Sequence, residues 1–325
     1  MPIDRDSRPA ALPEPPPARV DEALAVAAAY PWPADRLSEL TELAGAREGV
    51  DIVDIGANLL DDDPPYANLI AAGVARIVGF EPQPEALARL RELAGPQETY
   101  LPYAVGDGTR HTLRICAAGG FSSLFEPDAR SLALLTDFPD LAAVRARVPV
   151  DTVRLDDIAE IGGVDLLKID AQGSEGMILA AGRRRLASAM LVQVEVAYHR
   201  LYAGAPLWSE IDSLLRGAGF VPHGFVSTRT WPLAPVPWAD PAQAVTRQLV
   251  EADVLYVRDP LDWTTLAAER LRALVVLAAG VYGAHGLGLL ALLELERRGE
   301  LGAGAVTAYR EQIARLSPAA EQVTS

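Results

Sequence analysis

From residue 50 onward, short β-rich apolar runs alternate with segments of helical spacing. The runs are Val50–Ile55, Arg76–Glu81, Thr99–Val105, Asp165–Asp170, Met190–Val196, Gly219–Val226 and Asp253–Arg258. Helical patterns fall between several of them, near Glu85–Leu93, Ser174–Leu186 and Leu207–Gly217. Strands alternating with helices predict an α/β fold with a parallel, doubly wound sheet covered on both faces. A further strand pair is expected at Thr112–Cys116 and Val148–Val153.

On either side of this region, 50–260, the pattern differs. Residues 1–19 form a Pro-rich polar lead (Pro13, Pro15, Pro16, Pro17) that predicts an extended or disordered segment. Residues 20–49 carry helix-like spacing, interrupted at Pro31-Trp32-Pro33. Residues 261–325 read as a C-terminal helical extension. Within it, Ala273 to Leu293 contains no Asp, Glu, Lys or Arg, a length that would span a bilayer. Gly280, Gly283, Gly286 and Gly288 interrupt that run, so two buried helices joined near Gly283–Gly286 are expected, with no membrane contact. A homodimer through these helices, or a lid over the site, are the functional versions of the same reading.

Charge and cysteine content narrow the partners. The 325 residues carry a net charge of −15, which repels phosphate backbones and argues against nucleic acid. Cys116 is the sole cysteine, so neither an internal disulfide nor a thiolate zinc site can form. No basic-then-apolar leader opens the chain, and a cytoplasmic location is expected. Adjacent acids at Asp61–Asp63 and at Asp156–Asp157 could ligate magnesium or calcium, but loop acids of this kind are more often solvated or capping. No metal site is expected.

The chemistry concentrates at strand ends. Val53-Asp54-Ile55-Gly56-Ala57-Asn58 closes the first run with a glycine where backbone can approach a ligand. Ile77-Val78-Gly79-Phe80-Glu81-Pro82 closes the second, and Glu81 lies 25 residues after Gly56, a spacing suited to holding a ribose diol with two carboxylate oxygens. Neither a dinucleotide fingerprint nor a phosphate loop is present. In Leu166-Leu167-Lys168-Ile169-Asp170-Ala171-Gln172-Gly173-Ser174-Glu175, an apolar run ends in an acid and a polar turn that opens a helix. Lys168, the only lysine in the sequence, must pair with a carboxylate if that run is buried.

Together these segments resemble the FkbM family of S-adenosylmethionine-dependent methyltransferases over roughly residues 50–226. The resemblance also uses Ser122-Ser123-Leu124, Leu155-Asp156 and Val194-Glu195-Val196. It implies a Rossmann-like seven-stranded class I methyltransferase sheet with its last strand antiparallel. It also implies S-adenosylmethionine as cofactor and O-methylation of a sugar or natural product. Carried over residue by residue, Asp54, Gly56 and Asn58 would line the methionine part, and Glu81 with Pro82 would hold the ribose. Gly106 and Asp107 would lie near the adenine, Ser122 and Ser123 at the entrance, and Asp170 and Gln172 toward the methyl group. One departure stands out: Leu60 occupies the place of a second glycine, followed by Asp61-Asp62-Asp63.

Methyl transfer to a hydroxyl calls for alignment and a base. Asp170, Glu195 and His199 are the candidates, and the loop Val226–Val250 is long enough to form a lid over a small-molecule hydroxyl acceptor. Two other classes compete with the enzyme reading. One is a non-catalytic scaffold on the same fold, motivated by Leu60 and the acidic run. The other is a different nucleotide-using α/β enzyme.

Overall fold

A computed structural model describes residues 31–46, 49–57 and 63–316. The Pro-rich lead, Asn58, Leu60, Asp61 and Asp62 lie outside the described residues.

Twelve strands are present among these residues: β1 (Val50–Ile55), β2 (Ala75–Phe80), β3 (Glu98–Leu101), β4 (Ala104–Gly106), β5 (Arg110–Cys116), β6 (Glu126–Pro127), β7 (Val144–Arg154), β8 (Leu166–Ile169), β9 (Leu191–Ala197), β10 (Tyr202–Ala203), β11 (Phe220–Pro232) and β12 (Arg247–Arg258). Seven of them form one sheet in the order β11-β12-β9-β8-β1-β2-β3. The inner pairs are parallel. β12, last in the chain, inserts antiparallel between β9 and β11. This is the Rossmann-like class I methyltransferase sheet, with its final strand reversed.

The sheet buries two faces against different partners. Val53, Ile55, Leu167, Ile169, Val192, Val194 and Val254 pack beneath the helices Glu175–Ala181, Arg183–Ser188 and Trp208–Gly217. The alternate residues Val50, Ile52, Leu166, Leu191, Leu255 and Val257 pack against the terminal helices. Those helices are Leu37–Ala44, Ala268–Gly280, His285–Arg297 and Ala305–Arg315. The apolar stretch Ala273–Leu293 is thus two buried helices turning at residues 281–284, where Gly283 takes φ 59°. Among the described residues no helix is long and apolar enough to cross a membrane.

Two expectations change in detail. The run Thr99–Val105 splits, because its second half, β4, leaves the main sheet and pairs with β7 in a separate sheet of order β4-β7-β5. That sheet contains the strand pair expected at Thr112–Cys116 and Val148–Val153, lengthened to Val144–Arg154. The stretch expected as a lid loop, Val226–Val250, is largely a hairpin: β11 and β12 stay paired as far as Pro232 and Arg247. Its strands are polar at Ser227, Thr228, Arg229 and Thr230, so no apolar alternation marks them.

Candidate active site

Open α/β sheets bind ligands beyond the carboxyl ends of their strands, where the strand order reverses. Here that point lies between β1, which leads to β2 and β3 on one side, and β8, which leads to β9 on the other. Gly56 follows β1 there with φ +85°. A Cβ at this position would lie 1.9 Å from the Asp170 carbonyl oxygen, so the β1 and β8 turns pack together only because residue 56 has no side chain.

Two cavities open over these turns. The first, about 160 Å³, is lined by Gly56, Glu81, Pro82, Ser122, Ser123 and Asp170, among others. Leu113 of β5, Val150 of β7 and Leu124 complete its apolar lining. Glu81 is only 3% exposed, and one of its oxygens accepts from the Gln83 amide at 2.7 Å. Burial raises its pKa and that amide pulls it back. Its second oxygen receives no hydrogen bond from a described residue. Ser174 Oγ, buried in the same wall, likewise has no partner among the described residues. Two buried polar groups with unused capacity therefore face a cavity at the end of β2 and β8.

The second cavity is larger, about 890 Å³, and shares Gly119, Gly120, Asp170 and Gln172 with the first. On one side stand Phe121, Phe138 and Trp231, whose rings contact in series with centroids 5.0 and 4.6 Å apart. On the other side lie Asp54, Lys168, Gln193, Arg229, Glu251 and Asp253. Asp54, Lys168 and Gln193 are register partners across β1, β8 and β9, forming one polar row above the apolar layer of the same face.

Every member of that row is held. Lys168 Nζ donates to Asp54 Oδ1 at 3.0 Å, and the Tyr66 hydroxyl donates to Oδ2 at 2.5 Å. Burial pushes the Lys168 pKa down, but Asp54 and Asp170 outweigh it and hold the ammonium charged. Gln193 Oε1 accepts from the Tyr282 hydroxyl at 2.9 Å, so the C-terminal extension reaches into the site.

Gln172 joins the two cavities. Its Nε2 donates to Asp170 Oδ1 at 3.0 Å and to Glu195 Oε2 at 2.8 Å, while its Oε1 accepts from Tyr202 at 2.9 Å. Ser123 Oγ donates to its backbone carbonyl at 2.5 Å. Its φ of +49° is unusual for a residue with a side chain. Glu175 steadies this turn by accepting from the Ala171 and Gly173 amides at 2.9 and 3.2 Å. Burial raises its pKa to about 7.

The sequence-predicted residues divide accordingly. Gly56, Glu81, Pro82, Ser122, Ser123, Asp170 and Gln172 line the first cavity. Asp54 lines the second, with both oxygens occupied. Gly106 and Asp107 are not on either wall; Asp107 accepts from Thr109 and contacts His111 Nε2 at 2.9 Å. Glu195 is buried and held by Gln172 and by an ion pair with Arg229. His199 turns away, its Nε2 3.0 Å from both the Ser131 hydroxyl and the Ser131 carbonyl. Arg229, Glu251 and Asp253 escaped sequence reasoning. They sit in the hairpin, and only the pairing of β12 with β9, which sets Asp253 opposite Glu195, brings them to the site.

Comparison with known proteins adds to this geometry. A model of the methyltransferase FkbM domain matches residues 54–222. The 2-O-methyltransferase NoeI of Sinorhizobium fredii is 30% identical over 172 residues, 50% of this chain and 70% of that one. Among solved structures, precorrin-6y C5,15-methyltransferase from Geobacter metallireducens aligns at 14% identity over 74% of this chain and 97% of its own, with a TM-score of 0.32. The plantazolicin methyltransferase BpumL aligns at 11% identity over 70% and 86%, with a TM-score of 0.31.

Proposed function

The chain belongs to the FkbM methyltransferase family, and on that premise we propose that it transfers the methyl group of S-adenosylmethionine to a hydroxyl of a sugar or small natural product. The observation that carries this reading is the meeting of two cavities at Asp170 and Gln172. One offers a buried carboxylate with a free oxygen; the other sets an aromatic wall opposite polar side chains.

The residues present fit the cofactor. Glu81 would accept from the ribose hydroxyls, Ser174 Oγ would gain the partner it lacks, and Gly56 lines the same cavity without a side chain to fill it. When bound, S-adenosylmethionine supplies an electrophilic methyl group on a sulfonium that leaves as a neutral thioether. In the larger cavity, Phe121, Phe138 and Trp231 would cover an apolar ring face and exclude water, while the opposite wall accepts from hydroxyls. Asp170, with one oxygen fixed by Gln172, would turn the other toward the acceptor. An aligned acceptor is worth several kcal/mol of the barrier, of order 7 at least for well-oriented groups.

The test is calorimetric titration with S-adenosylhomocysteine, followed by labelled methyl transfer to a panel of glycosides and phenols. Glu81→Ala should weaken binding about 10–100-fold, the loss of a charge-assisted hydrogen bond. Unchanged affinity would remove the ribose assignment. A non-catalytic scaffold is the second reading, favoured by Asp54, which has no free oxygen for the methionine ammonium. Absence of binding in the wild type would bring it forward.

A further inference from the structure

Methylating a hydroxyl releases one proton, and some group at the acceptor cavity has to take it. The inference here rests on the methyltransferase reading above.

The carboxylates around the cavity differ in how much of their acceptor capacity is already used. Asp54 is held by Lys168 and Tyr66. Glu195 accepts from Arg229 on one oxygen and from Gln172 on the other. Asp253 accepts from Ser227 Oγ at 2.6 Å and from Gln193 Nε2 at 3.4 Å. Asp170 has one oxygen engaged by Gln172. Asp63, also on that wall, is exposed to solvent and so is no base held in a closed site. Glu251 differs from all of these. Its ionic neighbour Arg229 stands 3.7 Å away, a long and weak contact, and no described residue makes a hydrogen bond of ordinary length to either oxygen.

Glu251 is also the only described residue on the walls of both the acceptor cavity and a third, smaller one. That third cavity, about 20 Å³, is bordered by Glu175, Glu195 and Arg200 as well. A site of this size holds one water, and these side chains supply the two to four polar partners a buried water needs.

The geometry points to Glu251 as the general base of the methyl transfer, with the third cavity as the exit for its proton. The acceptor O–H bond breaks and its proton passes to a Glu251 oxygen. The freed electron pair forms the new O–C bond as the C–S pair departs with the sulfur. Protonated Glu251 then gives its proton to a water in the third cavity.

The surroundings suit the role. Burial raises the Glu251 pKa, Arg229 opposes, and Asp170 and Asp253 raise it again. Glu195, Glu175, Arg200 and Tyr202 border it on the side of the third cavity, and Lys168, Asp54 and Asp63 share the acceptor wall. A carboxyl held above its ordinary range is a stronger base than an exposed glutamate.

Two variants separate basicity from shape. Glu251→Gln should bind S-adenosylhomocysteine as the wild type does by calorimetry. Its methyl transfer should fall about 10²–10⁴-fold, and the rise of kcat/KM with pH should disappear. Glu251→Asp should recover part of the rate together with that rise. An infrared difference spectrum, wild type minus Glu251→Gln, needs no acceptor and should show a protonated-carboxyl band that fades as pH rises toward neutrality. The assignment is overturned if Glu251→Gln keeps the rate and pH profile, if Asp170→Asn removes the profile while Glu251→Gln does not, or if the difference spectrum has no titrating band. Failure of the wild type to bind S-adenosylhomocysteine would count against the methyltransferase reading instead.

Discussion

Lys168 on β8 and Asp54 on β1 face each other across neighbouring strands, 3.0 Å from nitrogen to oxygen, at the depth where the sheet turns from apolar to polar. Asp54 is buried and Lys168 largely so, and each is tolerated because the other is there. Lys168→Met should destabilise the protein by about 3–5 kcal/mol, the usual result of stranding a buried charge. Urea unfolding reads this directly; a loss under 1 kcal/mol would mean that Asp54 is content without a cation.

Gly56→Ala should be severe. The new methyl would meet the Asp170 carbonyl at 1.9 Å in a backbone conformation that disfavours side chains. A loss of at least about 2 kcal/mol is expected, together with loss of S-adenosylhomocysteine binding. A variant that melts and binds like the wild type would show that the β1 and β8 turns do not pack as described.

Glu175 gives a pH signature. Burial raises its folded pKa to about 7, against the amide hydrogen bonds that lower it. A carboxyl raised on folding adds stability below its unfolded pKa, near 4.5, and that contribution is lost as pH climbs through 7. Glu175→Gln does not titrate, so its stability relative to wild type should improve by about 3 kcal/mol between pH 4.5 and 8. Parallel denaturation curves at the two pH values would contradict the raised pKa.

Tyr282→Phe keeps the ring and removes the donor to Gln193. An unsatisfied buried amide oxygen costs about 1–3 kcal/mol. The variant should lose that much stability, as measured by thermal unfolding, and keep its affinity for S-adenosylhomocysteine, because Gln193 lines only the larger cavity.

The strand positions could be read from the sequence because the seven runs are apolar and short, and the order of motifs gave the family's sheet. Val50–Ile55 is reproduced residue for residue, and Glu85–Leu93 differs by one. The pairing of Lys168 with a carboxylate followed from burial alone. What escaped depended on register or on polar strands. Arg229 and Glu251 lie beyond the ends assigned to the last two runs, where hydroxyls and charges conceal the β period. His199 was a reasonable base by chemistry, but the turn after β9 aims it at Ser131. The hub role of Gln172 required knowing that β8 and β9 are neighbours.

A chain ending at Asp259 should not survive as a soluble sheet. Val50, Ile52, Leu166, Leu191, Leu255 and Val257 would lose the cover of Leu271, Leu274 and Leu292. Circular dichroism and light scattering should report an aggregated or loosely packed species, and a monodisperse fragment with a sharp melting transition would contradict this.

The same cover has a bearing on how the protein is made. Ribosomes deliver the chain from its amino end, so β1, β8 and β9 emerge long before β12 and the helices from Ala268 onward. Until they do, the nascent sheet lacks an inner strand and most of one apolar coat, of which only the helix Leu37–Ala44 precedes the strands. The sheet is therefore completed only once β12 and these helices are available, late in the order of the chain.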